Sequence, residues 1–424
     1  MFDIKLIRDN PELVTAGLAA KKNKTDLEQI IKDDTLYRQK LLKLDDLRNL
    51  KNAANDEISA ALKNKQDPKP KIEAMKAVSA QIDALEPEVK DLAAKIKDVL
   101  IGLPNLPHES VPVGSVEDNK IVREWGKPVK FDFKPKTHIE IAERLDIIDF
   151  NRATKISGAN FILFKKEGAR LERALFNFML DVHTTQHGYT EIFPPVLVNA
   201  DSMTGTGQLP KMAEDMYKLK DDDLYLIPTA EVPVTNIHRD EVLEESELPV
   251  YYTAYTSCFR REAGSYGKDT RGLIRVHQFD KVELVKFVRP ETSYDELEKL
   301  VANAEKIFQL LKLPYRVLLL ASGDLSFAAA KCYDLEAHAA GVDKWLEVSS
   351  CSNFESFQAR RANIRYKGAD AKKTAFVHTL NGSGVALARC VVAILENYQT
   401  KEGDVVIPEV LRPYMGGLEK ITRD

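Results

Sequence analysis

The run from Asp26 to Ile101 most constrains the fold, because it holds no glycine and keeps a helical hydrophobic rhythm almost throughout. In its second half Met75, Val78, Ile82, Leu85, Val89, Leu92, Ile96 and Val99 recur at alternating steps of three and four. That spacing draws one apolar seam along a helix. Leu44, Leu47, Lys51, Ala54, Ile58 and Ala61 keep similar steps in the first half, with a lysine inside the seam. Between the halves, Asn64-Lys-Gln-Asp-Pro-Lys-Pro70 is polar and twice interrupted by proline, which predicts a turn. Two helices joined so closely run antiparallel, each roughly 50 Å long at about 1.5 Å per residue. Pro87 falls off the seam, so any kink it causes lies on the outer face. Such a hairpin has little core of its own and suits an arm on a larger body. Pattern alone also allows a dimerising or spacer coiled coil.

Leu103-Pro-Asn-Leu-Pro-His-Glu-Ser-Val-Pro-Val-Gly114 is dense in proline and turn residues. It divides the 424 residues into an arm, 1–103, and a body, 104–424. Hydrophobic content of 44% with 30% charged residues fits an ordinary globular chain. No apolar run reaches membrane-spanning length, and the N-terminus lacks a signal-peptide pattern. The four cysteines are scattered without a Cys-x-x-Cys, which fits reduced thiols in a cytosol and argues against structural zinc. A net charge of −4 argues against general nucleic-acid affinity. Any RNA contact must therefore use a local basic stripe. The candidates are Arg38, Lys40, Lys43, Arg48, Lys51, Lys63, Lys65, Lys69 and Lys71 on the arm, with acidic residues interleaved among them.

Chemistry concentrates in the body. From Cys258 the chain reads Cys-Phe-Arg-Arg-Glu-Ala-Gly, then a Gly-rich loop, then Ile-Arg-Val-His-Gln-Phe-Asp-Lys-Val-Glu. Alternation on strands puts Arg260 with Glu262, and Arg275 with Phe279 and Glu283, on shared faces. An antiparallel pair would offer two arginines, two glutamates and a ring, a surface for a triphosphate, a base and an ammonium. A solvated face with cross-strand ion pairs is the plainer alternative. Glu347 lies among apolar residues in Trp345-Leu-Glu-Val-Ser-Ser-Cys-Ser352 and needs a counter-charge. In a regular strand Glu347 and Ser350 face opposite ways, and a bulge or strand end near Ser349 would bring them together. Asn381-Gly-Ser-Gly leads into a nearly continuous apolar helix holding Arg389, which needs an anion or a core salt bridge. Glycines at that helix start would allow close approach of a substrate. Arg170 to His187 reads as an amphipathic helix, and Tyr189 to Val198 as a strand whose Pro194-Pro195 belongs at an edge. Thr229-Ala230-Glu231, after the strand-like Leu224-Tyr-Leu-Ile-Pro, would alone pass for a surface turn.

Together these segments resemble the class II aminoacyl-tRNA synthetases, and over essentially its full length the chain resembles the bacterial-type seryl-tRNA synthetases. Phe259-Arg-Arg-Glu262 with Arg275 and Phe279 is similar to motif 2, the segment ending at Pro195 to motif 1, and Asn381 to Arg389 to motif 3. The resemblance implies an α+β fold: a class II synthetase antiparallel-sheet catalytic domain with an N-terminal antiparallel two-helix coiled-coil arm that binds tRNA. It implies activation of L-serine by ATP and transfer to tRNA(Ser), and to tRNA(Sec) where the host has one. By the same resemblance, ATP binding falls to Arg260, Arg261, Glu262, Arg275, Val276, Phe279, Glu347, Val348, Ser349, Ser350 and Arg389. Serine binding falls to Thr229, Ala230, Glu231, Arg260, Glu283, Asn381 and Ser383. Arg260, Glu347 and Arg389 are implied as catalytic, and Glu347 with Ser350 as ligands of Mg²⁺. A cytoplasmic homodimer joined through motif 1 is also implied, with no membrane partner. The short stretch after motif 3 leaves no room for an anticodon-reading domain, so tRNA choice is expected from the arm.

Other readings fit less of the chain. Threonyl and prolyl synthetases share motifs 2 and 3 but lack the long hairpin. A non-catalytic relic tends to lose phosphate-binding arginines, which are present here. A coiled-coil structural protein leaves the body unexplained. A class I synthetase is disfavoured by the lack of His-Ile-Gly-His, with only Lys211-Met-Ala-Glu214 in place of Lys-Met-Ser-Lys-Ser.

Overall fold

The apolar seam builds two long helices, α1 (Glu28–Lys63) and α2 (Lys69–Gly102), in a computed structural model that describes residues 1–263 and 272–423. Leu44, Ile82 and Val89 are buried between the helices, with Leu41, Leu47, Val78 and Leu85 packed against them. Ala54 and Ile96 are buried at further seam positions, and Lys51 is partly covered. Pairs Lys40–Glu88, Lys71–Glu57 and Lys95–Asp33 (2.7 Å) link the helices in opposite sequence order, so the two run antiparallel. Pro87 lies inside α2 at an exposed position, where its missing donor disturbs only the solvent face. The chain divides into two units, Met1–Pro104 and Asn105–Asp424.

The second unit is organised by one eight-stranded sheet. Its strands are β1 (Lys120–Trp125), β2 (Thr190–Glu191), β3 (Val250–Phe259), β4 (Gln278–Val288), β5 (Tyr315–Leu319), β6 (Lys331–Ala339), β7 (Lys344–Asn353) and β8 (His378–Ala386). Their order is β1-β5-β6-β7-β8-β4-β3-β2, antiparallel except that β2 runs parallel to β3. Helices α3 (Lys166–Gln186), α4 (Ser293–Leu310) and α5 (Leu387–Asn397) contribute to the main core with one face of the sheet. Leu175, Leu300 and Ile394 from those helices share it with Val282, Leu284 and Leu335 of the strands. Because side chains alternate, Phe279, Lys281 and Glu283 on β4 turn to the other face.

Two predicted elements differ from the structure. The strand expected over Tyr189 to Val198 survives only as β2 and a separate short strand, Leu197–Asn199. Pro194-Pro195 falls between them, since neither residue can donate to a ladder. The glycines expected at a helix start instead lie within β8. A Cβ on Gly384 would come within 2.8 Å of His183 Nε2, and one on Gly382 within 2.9 Å of Cys351 Sγ. They let helix and strand pack closely behind the site and are not the cradle of a substrate.

Glu172 of α3 sits in that core at 7% exposure, and its Oε2 has no hydrogen-bond partner among the described residues. Burial, and then the nearby Asp280, push its carboxyl well above the usual range. The folded protein therefore holds a proton here that the unfolded chain releases. Stability falls as pH rises above about 4.5, by up to about 1.4 kcal/mol per pH unit until the folded group ionises. Glu172→Gln is expected to melt higher than the parent, by a margin that widens from pH 5 to pH 8 in thermal scans. Among the described residues, no helix is long and apolar enough to cross a membrane.

Candidate active site

β3 ends at Phe259 and β4 begins at Gln278, so Arg260, Glu262 and Arg275 lie just beyond the strands, not on them as alternation suggested. Glu262 takes a left-handed φ of 52°, which ends regular pairing. The register nevertheless continues through the Arg260 N–H, which donates to His277 O at 2.9 Å. Glu262 and Arg275 then meet across the gap at 2.5 Å. The Arg260 guanidinium lies 5.3 Å from the centre of the Phe279 ring and donates to Pro228 O at 3.3 Å. Much of the Gly-rich loop, 264–271, falls outside the described residues. Its near side is anchored by Asp215, whose carbonyl accepts from Arg261 N and whose Oδ1 accepts from Ala263 N, both at 3.0 Å.

These groups open onto a cavity of about 640 Å³ that also exposes Thr229, Glu231, Lys281, Glu347, Ser350, Asn381, Ser383 and Arg389. Its size suits a small-molecule ligand. Val276 and Val348 line it too, whereas Arg261, Ala230, Glu283 and Ser349 do not. Ser349 is buried, with its hydroxyl donating to Ser383 O at 2.6 Å. Glu283, at 1% exposure, lies beneath the floor and reaches it through its neighbours.

One end of the cavity is a buried acidic pocket. Thr229, Ala230 and Glu231 are all buried, not a surface turn. Thr229 Oγ1 donates to Glu283 Oε2 at 2.8 Å, and Asn381 Nδ2 donates to Glu283 Oε1 at 3.1 Å. Glu231 is held by Gln358, whose Nε2 donates to Glu231 Oε1 at 2.5 Å. Gln358 is itself locked by Thr379 Oγ1 (2.7 Å) and Thr206 O (3.3 Å). Burial and the neighbouring Glu283 push the Glu231 carboxyl up to about 7. Two close carboxylates in a dry pocket resist joint ionisation and favour a cation between them.

The other end is built by β7 and α5. β7 bulges between Glu347 and Ser349, so Glu347 pairs with Glu336 and Ser350 with Asp334, two residues apart on β6. The bulge thereby turns Glu347 and Ser350 to one face. Glu347 is not the buried carboxylate its neighbours suggested. Its side chain is 50% exposed, and Arg389 stands 3.5 Å away as counter-charge. Arg389, two residues into α5, also donates to Glu347 O (2.6 Å) and Ile274 O (3.1 Å). Its guanidinium is only partly covered, so the helix's apolar run misjudged its burial.

Three residues of the site escaped the sequence reading. Lys281 could have been found, since it shares a strand face with Phe279 and Glu283. Gln358 and Asp334 carry no local signal. Asp334 is raised by burial and then by Glu347, and faces Ser350 across the strand pair.

This architecture has close relatives. The family model of the seryl-tRNA synthetase N-terminal domain matches residues 1–107, and that of the class II core domain for G, H, P, S and T matches 217–398. A serine–tRNA ligase of Trichlorobacter lovleyi is 57% identical over 424 residues, all of both chains. The seryl-tRNA synthetase of Pyrococcus horikoshii, solved with ATP, superposes with a TM-score of 0.93 at 40% identity over the whole of both chains. The cytoplasmic serine–tRNA ligase of Naegleria fowleri, solved with AMP, gives a TM-score of 0.88 at 31% identity, over 100% of this chain and 99% of that one. Relatives thus match the chain from end to end, arm and body together, and the chain belongs to the seryl-tRNA synthetase family.

Proposed function

We propose that the protein is a serine–tRNA ligase that forms seryl-adenylate from L-serine and ATP and then esterifies tRNA(Ser). The observation that carries this reading is a single cavity lined by the Glu231 carboxylate and by the guanidinium groups of Arg260, Arg275 and Arg389. The ammonium of serine binds at Glu283, Glu231 and Thr229, and Asn381 and Ser383 meet the rest of the amino acid. Adenine stacks on Phe279 beside Glu262, while Arg275 and Arg389 hold phosphates. Backbone and side-chain groups of Val276, Val348, Ser349, Arg261 and Ala230 shape the walls behind them. The serine carboxylate attacks the α-phosphorus, and pyrophosphate leaves. Arg260 stabilises the charge that develops there, and no general base is needed because the attacking group is already ionised. A terminal ribose hydroxyl of the tRNA then attacks the carbonyl of the mixed anhydride, and AMP departs.

Glu347 and Ser350 supply hard oxygen donors on one face, which suits Mg²⁺. When bound there it would neutralise phosphate charge. The arm, 1–103, serves as the tRNA-binding domain and 104–424 as the catalytic domain. Arg38, Lys40, Arg48 and Lys71 already pair with arm carboxylates. Lys43, Lys51, Lys63, Lys65 and Lys69 form no ion pair among the described residues and are the better phosphate contacts. Exposed Phe193, Val196 and Leu197 around motif 1 favour a homodimer, which works in the cytoplasm where tRNA is charged. In a host that has a tRNA(Sec), the same arm would serve its charging as well.

The test is ATP–pyrophosphate exchange with each of the twenty amino acids. Serine-dependent exchange is expected. Exchange with another amino acid only, or none from folded protein, refutes the reading. The Glu231 carboxyl adds a pH signature. An ionised carboxylate receives the ammonium, so KM for serine is expected to rise as pH falls from 8 to 6, by up to about tenfold per unit below the Glu231 pKa. Glu231→Gln should flatten that profile while raising KM.

A further inference from the structure

Lys281 lies on the floor of the cavity at 5% exposure, on the same face of β4 as Phe279 and Glu283. Its ammonium donates to Thr229 Oγ1 at 2.9 Å and stands 2.5 Å from Glu283 Oε2. Those are the oxygens that the proposed function assigns to the ammonium of serine. Two cations cannot share them without strong repulsion in so dry a site. The spacing along β4 indicates where the lysine goes. Residues two apart on a strand are about 6.5–7 Å apart. With adenine at Phe279 and the substrate's ammonium at Glu283, the carboxylate that must reach the α-phosphate falls between them, above Lys281.

We infer that Lys281 holds the carboxylate of the amino-acid substrate, moving onto it from Thr229 and Glu283 as the substrate's ammonium takes their oxygens. The inference rests on the proposed function and adds a binding residue to it. The exchange keeps Glu283 paired with a cation before and after binding, so no buried carboxylate is stranded. It also makes affinity depend on a substrate that carries both charges. An amine without a carboxylate must displace the lysine and gives it nothing to bind in return.

Calorimetric titration of L-serine and of serinol, which replaces the carboxylate with a hydroxymethyl group, tests this in the full-length protein. In the parent, serine is expected to bind far more tightly than serinol. Lys281→Met should weaken serine at least about tenfold, the scale of a lost charge-assisted hydrogen bond, while serinol stays within about threefold or binds tighter. The ratio of the two affinities therefore collapses. A Lys281→Met protein that discriminates as the parent does, or that weakens both ligands alike, overturns the inference and leaves the proposed function standing. A parent protein that neither binds serine nor exchanges with it sinks both. If Lys281→Met does not fold, the parent crystallised with L-serine decides. Lys281 Nζ within hydrogen-bond distance of the substrate carboxylate supports the inference, and Nζ still on Thr229 Oγ1 overturns it.

Discussion

Arg260→Ala is expected to lower serine-dependent ATP–pyrophosphate exchange by about 10²–10³-fold, with a nearly unchanged melting temperature. The loss follows from the position of the guanidinium at the mouth of the hairpin, over Phe279 and open to the cavity. Charge develops on the α-phosphate only as the carboxylate attacks, and a donor preorganised for that charge acts mainly on kcat. Little folding energy is involved. Among the described residues the guanidinium makes one hydrogen bond, to Pro228 O at 3.3 Å, and the residue is exposed. Arg260→Lys should recover only part of the rate, because an ammonium cannot reproduce the planar fork. Exchange by the alanine variant within about threefold of the parent would remove Arg260 from the chemistry.

Glu296→Ala is expected to cost the most stability, about 3–5 kcal/mol. Its partner Lys286 is 1% exposed on β4, the strand that carries Phe279, Lys281 and Glu283. Glu296 Oε2 stands 2.9 Å from Lys286 Nζ and accepts from Tyr251 at 2.5 Å. Without the carboxylate, the lysine keeps the Glu296 carbonyl at 3.2 Å and the rings of Tyr251 at 4.4 Å and Tyr189 at 5.9 Å. Burial pushes the Glu296 carboxyl up, but hydrogen bonds from Lys299, Tyr251 and Lys286 outweigh it and bring it down to about 2. A lowered folded pKa stabilises above the unfolded value of about 4.5, and the gain is lost as pH falls towards 2. The variant should therefore melt roughly 5 °C lower at pH 7, and the gap should narrow at pH 3. An equal gap at both values would mean that lost packing, not charge, set the effect.

The two-helix arm was legible because a heptad seam is a local pattern, and each seam residue from Met75 to Val99 is at least partly covered as the spacing required. Runs around Arg260 and Glu347 were legible as strands and strand ends for a similar reason. β4 pairs with β3 without a register shift from Gln278 to Phe287, so Glu283 and Phe279 share a face as alternation placed them. Even the awkward parity of Glu347 and Ser350 could be posed from the residues alone, and the bulge answers it.

Burial was where local reading failed. Apolar neighbours made Glu347 and Arg389 look buried, yet both open onto the cavity, because its walls come from segments far apart in the chain. The glycines of β8 looked like a substrate cradle until His183 and Cys351 proved to stand behind them. Gln358, which sets the orientation of Glu231, reaches it from a position 127 residues away. Spacing along the chain thus sufficed for helices, strands and the charges each strand presents, since these follow from periods of 3.6 and two residues. Which charges meet, which stay dry and which cation sits on which carboxylate depended on the packing of distant elements, because desolvation and Coulomb energies act through space.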